Sequence, residues 1–144
     1  MPVLELESNE DLQRAFPVLK ELRSHLKEDD SLTTLRKMME GGYRLFALED
    51  EGTIVALAGI SVGLNLYYGP YVWVYDLITA EKARSRGHGQ ELLSHIERVA
   101  EDEGCQTVAL SSALFRTDAH RFYEERMGYQ RAAYTFVKEL GSKP

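Results

Sequence analysis

Six consecutive residues, Arg84-Ser85-Arg86-Gly87-His88-Gly89, put two guanidinium groups and two glycines into one short turn. The turn stands between a strand-like run ending near Thr79 and a helix-like run expected over 86–102. At such a junction several backbone N–H groups point outward where the helix dipole is positive, which makes an anion site. Gly87 and Gly89 would let the backbone approach a pyrophosphate closely, and Arg84 or Arg86 would neutralise its charge. Taken alone, Arg-x-x-Gly-x-Gly is a weak pattern, because glycine turns lead into many helices that hold no phosphate. It is neither the dinucleotide fingerprint nor a nucleotide P-loop, since the Lys-Ser/Thr ending is absent and the spacing is too short.

The elements that must carry this turn alternate between strand and helix. Residues 3–7 have the period-two pattern of a strand, and Ser8 then caps a helix with Leu12, Ala15, Phe16, Leu19, Leu22 and Leu26 on its apolar face. Pro17 predicts a kink in that helix or a late start near Phe16. A second helix is expected over 31–40, ended by Gly41-Gly42. A hairpin follows, with strands over 43–48 and 53–62 and a turn at 49–52. Residues 63–70 read as a loop, 71–79 as a strand, and 107–110 as a short buried strand. A last helix over 118–126, stopped by Gly128, precedes a final strand expected over 130–139.

Composition bounds what such a chain does. Its 144 residues, 44% hydrophobic, suit one domain with one core. The net charge is -6, and no run of Lys or Arg supplies the footprint that a nucleic-acid backbone requires. Cys105 is the only cysteine, which excludes an internal disulfide and reads as a small buried hydrophobe in a reducing compartment. The N-terminal residues lack the basic start and apolar centre of a secretory signal, and no window approaches the length of a membrane span. A cytoplasmic protein with no membrane partner is therefore expected. His25, His88, His95 and His120 show no metal-ligand spacing, so no metal is expected. His88 is read as contributing its backbone N–H to the turn, with its imidazole exposed.

Three segments in order resemble the core of the GNAT N-acetyltransferase superfamily: Tyr75-Asp76-Leu77-Ile78-Thr79, the turn from Arg84 to Gly89, and the run from Ala119 through His120-Arg121-Phe122-Tyr123 to Tyr129. The resemblance is strongest over 73–129 and extends more loosely over the whole chain. It implies an α/β (α+β) fold in one domain, 1–144, with a mixed and mostly antiparallel central sheet, helices on both faces and a splayed parallel strand pair. It further implies acetyl-CoA as co-substrate. The pantetheine arm would lie beside the backbone of Leu77, Ile78 and Thr79. Arg84, Ser85, Arg86, Gly87, His88 and Gly89 would hold the phosphates, with Gln90 beginning the helix.

Acyl transfer needs a route for the amine proton, a donor for the developing oxyanion and an acid for the departing thiolate. The resemblance makes Tyr123 the acid, and a main-chain N–H near Ile78 the oxyanion donor. Tyr123 also shares a helical face with Ala119 and Phe122, which suits a core aromatic. Some family members carry a glutamate base on the splayed strand. Counting back from Arg84 puts Val74 there, with Asp76 two residues later on the same strand face. Asp76 stands as a catalytic candidate acting through water, as a group that orients a cationic substrate, or as a structural hydrogen-bond partner. Glu124 and Glu125 read as solvated helix residues. Arg116 stands near the place where many members carry an asparagine that touches the pantetheine arm, a departure from the pattern.

Tyr67, Tyr68, Trp73 and Tyr75 flank the expected acceptor side and are the candidates to line an amine pocket. As strand residues, Trp73 and Tyr75 are equally suited to plain packing. The leading expectation is a small polar or cationic amine as acceptor. A protein lysine or N-terminal amine, and a CoA-binding module without turnover, remain the alternatives. Because related enzymes are commonly dimers, a homodimer is left open.

Overall fold

The computed structural model describes residues 2–141, in two compact units, one ending at Leu110 and one beginning at Ser111. In the first unit five strands form one sheet in sequence order: β1 Val3–Leu6, β2 Arg44–Asp50, β3 Thr53–Asn65, β4 Gly69–Thr79 and β5 Thr107–Leu110. The pairs β1–β2, β2–β3 and β3–β4 are antiparallel, and β4–β5 is parallel. This is the mixed sheet with one parallel pair that the resemblance implies.

Helices lie on both faces. Helix α1, Asn9–Leu22, starts where Ser8 accepts a hydrogen bond from the Asp11 N–H at 3.1 Å. It buries Leu12, Ala15, Val18 and Leu19 against Leu45 and Ala47 of β2 and Leu57 of β3. Helix α3, His88–Asp102, buries Leu92, Leu93 and Ile96. Its His95 ring stands 5.7 Å from Phe46, the β2 residue between Leu45 and Ala47, and therefore on the other face. Cys105 is buried, as its lone occurrence suggests.

Several boundaries depart from expectation for identifiable reasons. Helix α1 begins at Asn9 and runs through Pro17, so the late start does not occur. The Ser8 cap and acidic Glu10 and Asp11 favour the early start, and the helix continues past Pro17 to Leu22 although the proline donates no N–H. Helix α2, Glu28–Glu40, starts three residues before the expected Ser31, with Glu28, Asp29 and Asp30 in the first turn at the positive end of the dipole. The loop expected over 63–70 shrinks to a turn at 66–68, because β3 continues to Asn65 and β4 takes up Gly69 and Pro70. Pro70 is tolerated at the start of the strand, where one missing N–H costs little pairing.

The second unit holds α4, Thr117–Arg121, which continues as a π turn, Phe122–Arg126, closed by the Met127 N–H donating to the Phe122 carbonyl at 3.1 Å. The strand expected over 130–139 is corrected: these residues form no ladder. Alternating apolar residues supply a strand's pattern, but a strand also needs a partner's backbone. Tyr134, Phe136, Val137 and Leu140 are exposed.

One contact organises the centre of the sheet. Tyr43, just before β2, lays its ring across Gly59 of β3, where a Cβ would stand 1.7 Å from the tyrosine oxygen. Because Tyr43 is buried and its hydroxyl is already bonded, it has nowhere to move. Gly59→Ala is expected to cost about 3 kcal/mol, the upper end for overpacking, read as a lower denaturant midpoint with an unchanged slope.

Candidate functional site

The first component is a strand with an open side. β4 pairs with β3 as far as Thr79, but β5 leaves it after Val74. Within the first unit, residues 75–79 thus have one edge without a partner strand. The Ala80 N–H donates to the Val55 carbonyl at 2.8 Å, so alternation turns Ile78 toward β3 and directs the backbone groups of Leu77 and Thr79 to the open side. The Thr79 carbonyl there accepts from Arg84 Nε at 3.4 Å.

The second component is the turn. After a 3₁₀ turn, Glu81–Ala83, the chain passes through Ser85 at φ 65° and Gly87 at φ 79°, both left-handed. Helix α3 then starts at His88 rather than Arg86, because the left-handed Gly87 is its N-cap and a helix cannot extend back through it. Gly87 supplies no side-chain cap. Glu91 is the first residue to donate back into the turn, to the Gly87 carbonyl at 3.0 Å. The N–H groups of His88, Gly89 and Gln90 therefore lie at the positive end of a 15-residue helix with no intrahelical acceptor. Arg84, Ser85, Arg86 and Gly87 are all exposed, and a Cβ on Gly87 would meet no atom within 4 Å. Space, donors and positive charge coincide at this point.

His88 corrects an expectation: its imidazole is buried, with Nε2 unpartnered among the described residues. As the first helical residue after a left-handed cap, it turns its side chain inward while its N–H faces out.

The third component lies on the sheet face that carries α1. The register shifts between Gly59 and Ile60: Asp76 pairs with Gly59 and Val74 with Ile60, leaving Tyr75 as a bulge. Because Gly59 and Ile60 are consecutive, Asp76 and Val74 face opposite sides of the sheet, not the same side as simple alternation predicts. Asp76 is buried, and both its oxygens are engaged. Oδ1 accepts from Arg23 Nε at 3.0 Å, and Oδ2 accepts from the Tyr43 hydroxyl at 2.8 Å. Burial first, then the Asp76 charge, pushes the Tyr43 phenol far above its ordinary range, so it stays a proton donor.

Trp73 pairs with Ser61, two residues from Gly59, and so shares this face. Tyr75 joins it, accepting from Ser61 Oγ at 3.2 Å and standing 6.0 Å from the Tyr43 ring. Tyr67 and Tyr68 sit instead at the tip of the β3–β4 hairpin, edge to face at 4.8 Å, with Tyr68 5.8 Å from Tyr71. Sequence reasoning missed Arg23 and Tyr43. A carboxylate in an apolar strand signals that donors must exist, but not which ones.

Tyr123 belongs to the second unit, in the π turn. Its ring lies 5.4 Å from Phe122 and 6.1 Å from Tyr129, and its carbonyl accepts from the Tyr129 N–H at 2.8 Å. Burial raises its pKa above the usual phenol value, against a smaller lowering by Arg116. Arg116 itself precedes α4, where its carbonyl accepts from the His120 N–H at 3.1 Å. Among the described residues no three His, Cys, Asp or Glu side chains converge as metal ligands. No described helix is long and apolar enough to cross a membrane.

Comparison with known proteins gives consistent matches. The model of the acetyltransferase (GNAT) family matches residues 7–129. The chain is 36% identical to the uncharacterized N-acetyltransferase YhdJ of Bacillus subtilis (strain 168), over 94% of this chain and 96% of that protein. It is 29% identical to the aminoalkylphosphonate N-acetyltransferase of Salmonella typhimurium (strain LT2), over 97% and 94% of the two chains. Among solved structures, aminoglycoside N-acetyltransferase AAC(6')-Iy in complex with CoA superposes with a TM-score of 0.85 at 15% identity, covering 97% of this chain and 95% of that one. At that identity the likeness is one of fold.

The left-handed backbone at Gly87 gives a direct test. Gly87→Ala is expected to cost about 1 kcal/mol from the conformation alone, and Gly87→Asn less, because asparagine tolerates that region. Urea denaturation of the two variants beside the parent measures the difference.

Proposed function

We propose, on the premise that the chain belongs to the GNAT acetyltransferase family, that it moves an acetyl group from acetyl-CoA to a primary amine by direct attack. The observation that carries this reading is the open edge of β4 over 75–79, leading into a turn with three free N–H groups and two arginines. The space above Gly87 and the exposed backbone fit a pyrophosphate.

In this reading the open-side groups of Leu77 and Thr79 bind the pantetheine arm, while Ile78 anchors the strand between them to β3 and the core. Arg84, Ser85, Arg86, Gly87, His88, Gly89 and Gln90 form the phosphate cradle, chiefly through N–H groups. The co-substrate supplies an activated thioester carbonyl. The Leu77 N–H faces the open edge and serves as donor to the oxyanion that develops there. Tyr123, kept protonated by its raised pKa, gives its proton to the departing thiolate and regains one, through solvent, from the amine nitrogen that has formed the new bond. Asp76 has both oxygens occupied by Arg23 and Tyr43, which favours an orienting role over that of a free base.

The acceptor is a small polar or cationic amine, held by Trp73 and Tyr75 on the α1 face, with Tyr67 and Tyr68 at the rim. The name of the aminoalkylphosphonate enzyme supports an acceptor of that size. The family match spans both units, which supports a single functional domain over 1–144. Cytoplasmic residence completes the proposal.

Calorimetric titration with acetyl-CoA and CoA tests the first step, and thiol release with aminoethylphosphonate, an aminoglycoside and a lysine peptide tests the second. Failure to bind either nucleotide overturns the reading, and release with the peptide alone would move the acceptor to protein. Tyr123→Phe is expected to lower kcat by about 10²-fold with unchanged CoA affinity. Because an acid must hold its proton and this one is raised, the alkaline fall in wild-type kcat should begin only above about pH 10.

A further inference from the structure

The bend in β4 is held from outside the strand. A bulge takes one residue out of the ladder, and here the carbonyl of that residue, Tyr75, accepts from Arg23 Nη2 at 3.1 Å. The same guanidinium donates through Nε to Asp76, the next residue. Arg23 is the C-cap of α1, so one side chain ties the end of that helix to two successive residues of the bend. Tyr43 supplies the third tie, reaching over Gly59 to the other oxygen of Asp76.

These ties select one register out of two. Without the bulge, Tyr75 would pair with Gly59 and each residue over 76–79 would shift one place along β3. Side chains would change faces, and the groups of Leu77 would turn from the open edge toward β3. Asp76 would then face away from Arg23 and Tyr43. Their three hydrogen bonds form only in the bulged register, the one that leaves the Leu77 N–H outward.

We propose that Arg23 and Tyr43 are positioning residues that lock the β4 bulge and so aim the Leu77 N–H at the acyl carbonyl. This deepens, and rests on, the acetyltransferase reading above. Both act through Asp76 and the Tyr75 carbonyl and touch neither the phosphate cradle nor Tyr123 in that reading. The raised pKa of Tyr43, from burial first and then the Asp76 charge, keeps the phenol protonated and so accords with its part as donor.

The test is isotope-edited infrared spectroscopy of [1-¹³C]acetyl-CoA bound to wild type, Tyr43→Phe and Arg23→Gln, with calorimetric binding of CoA and a thermal melt of each. In wild type the carbonyl band should move to lower frequency on binding. In both variants at least half of that shift should be lost, while CoA affinity, which does not sense the carbonyl, changes less than about twofold. Should either variant fail to melt cooperatively, Arg23→Lys takes its place, since lysine keeps the charge but cannot fork to both acceptors. An undiminished band shift in variants that bind CoA normally overturns the clamp. Wild type that binds acetyl-CoA without any shift removes the Leu77 donor and the clamp with it, leaving the family function standing. Wild type that binds neither acetyl-CoA nor CoA brings down both.

Discussion

The single residue by which β4 exceeds its partner strand governs the architecture of the site. With Tyr75 outside the ladder, the strand changes which side chains look to each face and which backbone groups look to each edge. Val72 and Val74 serve the face opposite α1, whereas Trp73, Asp76 and Ile78 serve the α1 face. A buried carboxylate at that point is affordable only with donors around it, which Arg23 and Tyr43 provide. The close approach of Tyr43 in turn requires the glycine at 59. Four residues scattered over 54 positions of sequence thus answer to one irregularity in hydrogen bonding.

A second consequence follows where β5 parts from β4. A parallel pair that stays in register leaves no room for a ligand between its strands. Here pairing stops at Val74 with Leu110, just before the bulge, and the free edge runs from there toward the turn. The turn continues the same arrangement by other means, since the first N–H groups of α3 are free for the helical reason that those of Leu77 and Thr79 are free for the sheet reason. An extended molecule with an anionic end meets donors along its length and positive potential at its end, in a chain whose net charge is -6.

The fold was legible because its signals are local. Ser8 with Asp11, the apolar face of α1, the turn at 49–52 and the breakers around Gly87 each act within a few residues, and the elements they mark are present. The glycine turn was legible for the same reason. What escaped the sequence was pairing at a distance: a bulge is a relation between two strands, and nothing in 72–78 alone announces it. Simple alternation therefore put Asp76 on the wrong face, and the partners Arg23 and Tyr43 went unnoticed because they are 53 and 33 positions away. The expected strand over 130–139 failed in the opposite sense, as a local pattern without a ladder. At His88 a polar residue in a glycine turn suggests exposure, whereas the side chain that follows the left-handed cap is buried.

An unpaired strand edge is ordinarily a hazard, since any extended chain will add to it. The open stretch of β4 is five residues, roughly 17 Å at strand rise, bounded by β5 at one end and by the turn at the other. Such a slot is long enough for a slender ligand and too short to template a lasting strand from a neighbouring molecule. Occupation of the slot would also withdraw the unpaired edge from competition, so any ligand bound there would at the same time guard against self-association and raise the apparent stability by mass action.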